Sequence, residues 1–246
     1  MESNITTLKK AVLIISVLLI AFPLYQCNGQ ESSSETEYTF KEGGANGIGK
    51  WYMGREIAHV MGFQGMDWLE RPEREEEENT SKLLRNMQIA AGDTIADIGA
   101  GSGYHVFKMA PMAANGHVYA VDIQDEMLEA IQRKKENSTN KNITAVKGSD
   151  KSINLLENSV DKVLMVDVYH EFDHPVEMIA SVRKALRSDG KLYLIEYRGE
   201  DDTVPIKKLH KMTEEQAVKE MKAAGLKLQR NIANLPWQHC MVFVKE

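Results

Sequence analysis

The run Ile95-Ala96-Asp97-Ile98-Gly99-Ala100-Gly101-Ser102-Gly103-Tyr104 holds the residues of this chain best spaced for chemistry. An apolar strand, Thr94 to Ile98, passes into a glycine turn that opens a helix near His105. Glycines let backbone approach a ligand with no side chain between, and they accept turn dihedrals that strain other residues. The spacing is G-x-G-x-G. The dinucleotide fingerprint G-x-G-x-x-G needs a glycine at position 104, and this chain has Tyr104 there. A second acid, Asp122, closes the next strand, His117 to Val121, where a bidentate carboxylate can hold a ribose diol.

A second constellation follows the fourth strand: Asp167-Val168-Tyr169-His170-Glu171-Phe172-Asp173-His174-Pro175. Ligands of open parallel sheets sit beyond the carboxyl ends of the strands, so this segment faces a reacting group. Asp167, Tyr169 and His170 are the catalytic candidates, with His170 or Asp167 as general base. His170-Glu171-x-x-His174 also spells the H-E-x-x-H pattern of zinc peptidases, which needs both histidines on one helical face. Pro175 disfavours helix in the residue before it and suits the first turn of a new helix. The pattern is therefore expected in a loop, as a chance match with no metal.

These residues need a scaffold. Strands are predicted at 94–98, 117–121, 143–147, 161–167 and 190–197, and helices at about 103–113, 125–136, 175–187 and 213–224. Regular alternation implies a parallel sheet covered on both faces. Two last strands, about 226–232 and 239–245, follow the final helix directly and should pair antiparallel. Upstream, apolar residues at helical spacing (Ile57, Val60, Met61) predict a helix from Trp51 to Gly62. Pro72 suits the start of another, with Glu73 and Glu75 to Glu78 as a solvated acidic first turn. Residues 51–90 read as an N-terminal helical lid and 91–246 as the main domain. Trp68 and Met66 in that lid suit an apolar ligand, and Arg71 and Arg74 a carboxylate.

Strand, glycine loop and second acid together resemble the class I S-adenosylmethionine-dependent methyltransferases over about residues 80–246. The resemblance implies a Rossmann-like α/β fold with seven strands in the order 3-2-1-4-5-7-6, strand 7 antiparallel. It implies S-adenosylmethionine as cofactor, with the glycine loop under its methionine part and Asp122 on its ribose. The cofactor set is then Asp97, Gly99, Ala100, Gly101, Gly103, Tyr104, Asp122, Ile123, Gln124, Ser149 and Asp150. The chain departs from the family after the third strand. An acid commonly follows the glycine there, and Gly148-Ser149-Asp150 puts a serine in that place. The acceptor expected is a small molecule. Two rival readings are a non-catalytic exported nucleoside-binding protein on the same fold, and a zinc hydrolase.

With 246 residues and a formal net charge of -6, the chain has room for one α/β domain and offers no broad basic face to nucleic acid. Lys9 and Lys10 precede an apolar stretch, Ala11 to Tyr25, and residues 1–29 read as a secretory signal peptide. Cleavage after Gly29 or lipidation at Cys27 would leave the protein periplasmic or membrane-tethered, and the mass of the native chain distinguishes them. Residues 30–50 read as a flexible linker. Cys240 is expected as a buried apolar thiol on the last strand.

Overall fold

The computed structural model describes residues 38–246; the signal-peptide and lipidation assignments lie outside them. The main sheet is built from β4 (Thr94–Ile98), β5 (His117–Asp122), β6 (Ile143–Lys147), β7 (Val160–Val166), β8 (Leu186–Tyr197), β9 (Leu226–Asn231) and β10 (Gln238–Lys245). Their order is β6-β5-β4-β7-β8-β10-β9. Neighbours from β6 to β8 run parallel, and β10 runs antiparallel to both β8 and β9. This is the expected order 3-2-1-4-5-7-6.

Alternation along each strand feeds two cores, as the two-residue repeat of a strand requires. Val163, Met165, Leu192 and Leu194 point to one, with Ile179 and Val182 of α6 (Pro175–Ala185) and Met221 of α7 (Glu214–Ala223). Leu164, Tyr193 and Ile195 point to the other, with Leu83 and Met87 of α3 (Thr80–Met87), Val106 and Met109 of α4 (Val106–Met109) and Ile131 of α5 (Asp125–Glu136). The helix expected over 103–113 is regular only across α4. Gly103 has φ +80°, and Pro111 supplies no N–H to continue the ladder.

The N-terminal third departs most from expectation. Residues 47–58 form no helix but a hairpin, β2 (Gly47–Tyr52) and β3 (Arg55–Ala58), with β1 (Thr39–Phe40) on its edge. Met53 and Gly54, φ +49° and +100°, make the two-residue turn that matches strand twist. Residues 39–40 and 47–50 of the expected flexible linker thus lie in strands, and Lys50 is buried with its ammonium 3.1 Å from Asp173. Two short helices follow, α1 (Met66–Leu69) and α2 (Arg74–Glu77).

Arg55 locks this hairpin to the main domain. Its guanidinium makes two 2.9 Å bonds to Glu220 on α7 and donates to the His170 carbonyl at 3.0 Å. The acidic run is not uniformly solvated either. Glu78 is buried and accepts from Arg71, Arg74 and the Tyr197 hydroxyl at 2.6–2.9 Å. The two arginines thereby serve the fold of this segment.

Candidate active site

A cavity of about 510 Å³ opens at the carboxyl ends of β4, β5 and β7. The glycine loop forms its floor. Gly99 and Gly101 take φ +69° and +53°, where a side chain is strained. A Cβ on Gly99 would lie 2.4 Å from Val168 Cγ2, and one on Gly101 would lie 2.6 Å from Leu69 Cδ1. Asp122 is fixed at the end of β5 by two backbone donors, Gly101 N–H to Oδ2 at 2.8 Å and Gln124 N–H to Oδ1 at 2.9 Å. Burial raises its pKa, and those N–H groups oppose the rise.

Gly99, Gly101, Asp122, Ile123, Gln124, Ser149 and Asp150 all line the cavity, so the structure gathers most of the expected cofactor set. Gln124 also ties the N-terminal segment down, accepting from Phe63 N–H and donating to the Met61 carbonyl at 2.7 and 3.0 Å. Four expected residues lie outside the wall. Ala100 packs into a core, Gly103 abuts Phe107 and Ile131, and Tyr104 stacks between the cations of Arg74 and Lys108. Asp97 is buried at the end of β4 with Oδ2 unpartnered.

The far wall comes from the segment after β7. Asp167 sits at φ +50°, a conformation that non-glycine residues hold only when their surroundings over-determine it. Its Oδ2 accepts from Gln238 at 2.6 Å, and its Oδ1 is buried without a partner. Burial, then Glu78 and Glu196, hold this carboxyl well above the usual carboxylate range. His170 follows in a short 3-10 turn, Tyr169–Glu171, and is buried. Its Nδ1 lies 2.6 Å from Glu196 Oε2, and a carboxylate only accepts, so Nδ1 carries the proton. Burial works against charge on this ring, but the Glu196 carboxylate prevails and raises the pKa.

Tyr169 does not face the cavity. Its ring is buried, and its hydroxyl donates to Glu220 at 2.7 Å, which makes it part of the hairpin lock rather than a contact for substrate. His174 precedes α6 and shares no helical face with His170, as Pro175 predicts. Two contributors escaped the sequence reading. Glu196 is a fully buried acid in the apolar run Leu192–Tyr197, which was its only signal. Pro205, Ile206, Lys207 and His210 line the cavity from a loop with no motif, while Arg74, expected to meet a carboxylate, lines it from the lid.

The family described as a methyltransferase domain matches residues 89–239. The chain belongs to the class I S-adenosylmethionine-dependent methyltransferases. The methyltransferase YdaC of Bacillus subtilis (strain 168) is 27% identical over 142 residues, 58% of this chain and 76% of that protein. A tRNA U34 carboxymethyltransferase of Pseudoalteromonas translucida is 28% identical over 125 residues, 50% of this chain and 38% of that one. Among solved structures, a methyltransferase from Aquifex aeolicus superposes with a TM-score of 0.70 at 22% identity, covering 75% of this chain and 98% of its own. An O-methyltransferase of neocarzinostatin biosynthesis, solved with S-adenosylhomocysteine and 1,4-dihydroxy-2-naphthoic acid, gives 0.62 at 16% identity, covering 74% and 58%. These two show the fold.

The site fits the family's cofactor. Asp122 is pre-oriented by backbone donors while each oxygen keeps a lone pair, and Gly101 lines the cavity with Leu69 packed so closely on it that no Cβ fits. Asp122→Ala should weaken S-adenosylhomocysteine binding by about 1–3 kcal/mol, the scale for losing hydrogen bonds to a charged group. Titration calorimetry checks this, and unchanged affinity would move the ribose elsewhere.

Proposed function

We propose that this methyltransferase acts on a small-molecule acceptor held between the glycine loop and the Asp167–His170 segment. The observation that carries the reading is one cavity shared by both, with residues 60–74 and 205–210 contributing the rest of its wall. A net charge of -6 offers no track for a nucleic-acid backbone, which argues against the substrate class of the tRNA-modifying relative.

S-adenosylmethionine supplies an electrophilic methyl group on a sulfonium, which leaves as a neutral thioether. The chain's own residues do the rest. Asp122 holds the ribose, and Gly99 and Gly101 give clearance beneath the methionine part. Val60, Met61 and Trp68 form an apolar roof that excludes water and orients the acceptor. Asp167 Oδ1, buried without a partner, is available to receive the acceptor's proton, and His170 Nε2, 3.1 Å from His210 Nδ1, is the second candidate.

Asp167→Asn is expected to lower turnover by about 10²–10⁴-fold, the usual contribution of a positioned proton acceptor, with S-adenosylhomocysteine affinity preserved. The test incubates the enzyme with cofactor and either fractionated small-molecule extracts or bulk tRNA, and follows S-adenosylhomocysteine release. Release with tRNA alone would overturn the small-molecule reading.

A further inference from the structure

The turn after β7 meets a residue from a distant loop. His170 Nε2, Glu171 Oε1 and His210 Nδ1 converge from two segments, at separations of 3.1 Å between the nitrogens and 3.8 and 3.6 Å from each nitrogen to the oxygen. The two longer separations exceed hydrogen-bond reach, so mutual hydrogen bonding explains only one side of the triangle. A triangle with these sides has a point about 2.0 Å from all three corners, the bond length of Zn²⁺ to imidazole nitrogen and carboxylate oxygen.

We infer that His170, Glu171 and His210 form a binding site for a divalent transition-metal ion of the zinc class, with its open coordination position toward the cavity. Two imidazoles and one carboxylate are a donor set that holds such ions and leaves positions free. Glu196 completes the arrangement. It accepts the hydrogen bond from His170 Nδ1–H, which fixes the tautomer and leaves the Nε2 lone pair free to bind the ion. The same oxygen pair anchors the turn, since Glu196 Oε1 accepts from Tyr169 N–H at 2.9 Å. His210 is placed with similar care. Its loop is pinned at the base by Met212 N–H to the Tyr197 carbonyl at 2.9 Å, and a 3-10 turn over Lys208–His210 presents the ring. All three ligand residues line the cavity. Resting on the methyl-transfer reading, the ion would take the acceptor's hydroxyl or thiol as a ligand. His170 Nε2 is then occupied, and Asp167 Oδ1 is left to receive the proton.

Asp150, Asp173 and His174 form a second group at the cavity rim, but Asp173 is already paired with Lys50 and both acids are about half exposed. The H-E-x-x-H spacing is therefore only half used: its first two residues bind, and the last is replaced by a histidine 36 positions beyond it, at 210.

The test is equilibrium dialysis of the full chain against Zn²⁺, followed by Co²⁺ substitution and its visible spectrum. One ion per chain with a four- or five-coordinate Co²⁺ spectrum is expected. Glu171→Gln and His210→Ala should each weaken binding at least 100-fold, and Glu196→Gln, a positioning residue, by about 10–100-fold. His174→Ala should bind the ion as the parent does. Calorimetry with S-adenosylhomocysteine on every variant reports an intact fold and tests the methyl-transfer reading separately. Substoichiometric Zn²⁺ in the parent, undiminished binding in His210→Ala, or loss of the ion in His174→Ala would each overturn the proposal.

Discussion

Gly101→Val should abolish cofactor binding while the protein remains folded. The backbone at Gly101 has φ +53°, where an L-residue is strained by roughly 1–2 kcal/mol and a β-branched one by more. That strain alone is a cost to folding of about tenfold in the equilibrium, carried in the free and bound states alike. The larger part is steric, because the first added carbon would already lie 2.6 Å from Leu69 Cδ1, and Leu69 itself lines the cavity and would be displaced. Shifting the loop to relieve the clash would also pull the Gly101 N–H from Asp122 Oδ2, so the ribose acid loses its anchor. A loss of at least 100-fold in S-adenosylhomocysteine affinity is expected by calorimetry, with thermal unfolding still cooperative. Leu69→Ala combined with Gly101→Ala should recover part of the loss, since it removes the clash and leaves the φ strain. Affinity near that of the parent in Gly101→Val would place the cofactor away from this loop.

The sheet order and the glycine loop were legible because parallel strands buried on both faces read as continuous apolar runs, each ending at a marked residue. Asp97 with the glycines closes one strand and Asp122 closes the next. The N-terminal hairpin was not legible. Its turn is Met53-Gly54 rather than an Asn-Gly or Asp-Gly pair, and Ile57, Val60 and Met61 mimic helical spacing although Val60 and Met61 lie beyond the strand. What holds the hairpin is a tertiary ion pair, Arg55 to Glu220, between residues 165 positions apart. The far wall was half legible for a similar reason. Position after β7 identified Asp167 and His170, but the partners that orient them, Glu196 and Gln238, come from neighbouring strands and carry no local pattern. Tyr169 shows the limit of reading by position. Only Val168 stands between it and Asp167, yet Asp167 lines the cavity while the 3-10 turn carries Tyr169 into the core.

Asp97→Asn should stabilise the unliganded protein and weaken the cofactor, two effects of opposite sign from one atom. Asp97 is buried, its Oδ2 has no partner, and its pKa is pushed up to about 8 by burial first, with Asp122 adding to the rise and Arg74 opposing it. An unfolded aspartate titrates near 3.9. Between that value and about 8 the folded chain holds a proton that the unfolded chain has released, so stability falls as pH rises through this window. The slope is at most about 1.4 kcal/mol per pH unit and vanishes above the folded pKa. Asparagine has nearly the same shape and no charge to desolvate. The variant should therefore match the parent near pH 4 and exceed it by a margin that widens to pH 8, each kcal/mol raising the melting temperature by about 2–4 °C. Cofactor binding responds in the other direction. The glycine loop that follows Asp97 underlies the cationic methionine part in this family, and a cation brought beside this unpartnered acid favours its ionised form, so the acid gives up its proton as the cofactor binds. Such unpaired buried groups persist where function outweighs their cost to the fold. Asp97→Asn should weaken S-adenosylmethionine by about 1–3 kcal/mol at pH 8. Melting curves from pH 4 to 8 and calorimetry at pH 8 measure both halves. A variant less stable than the parent at pH 8 would mean the carboxylate is satisfied within the protein, and unchanged affinity would remove Asp97 from the cofactor site.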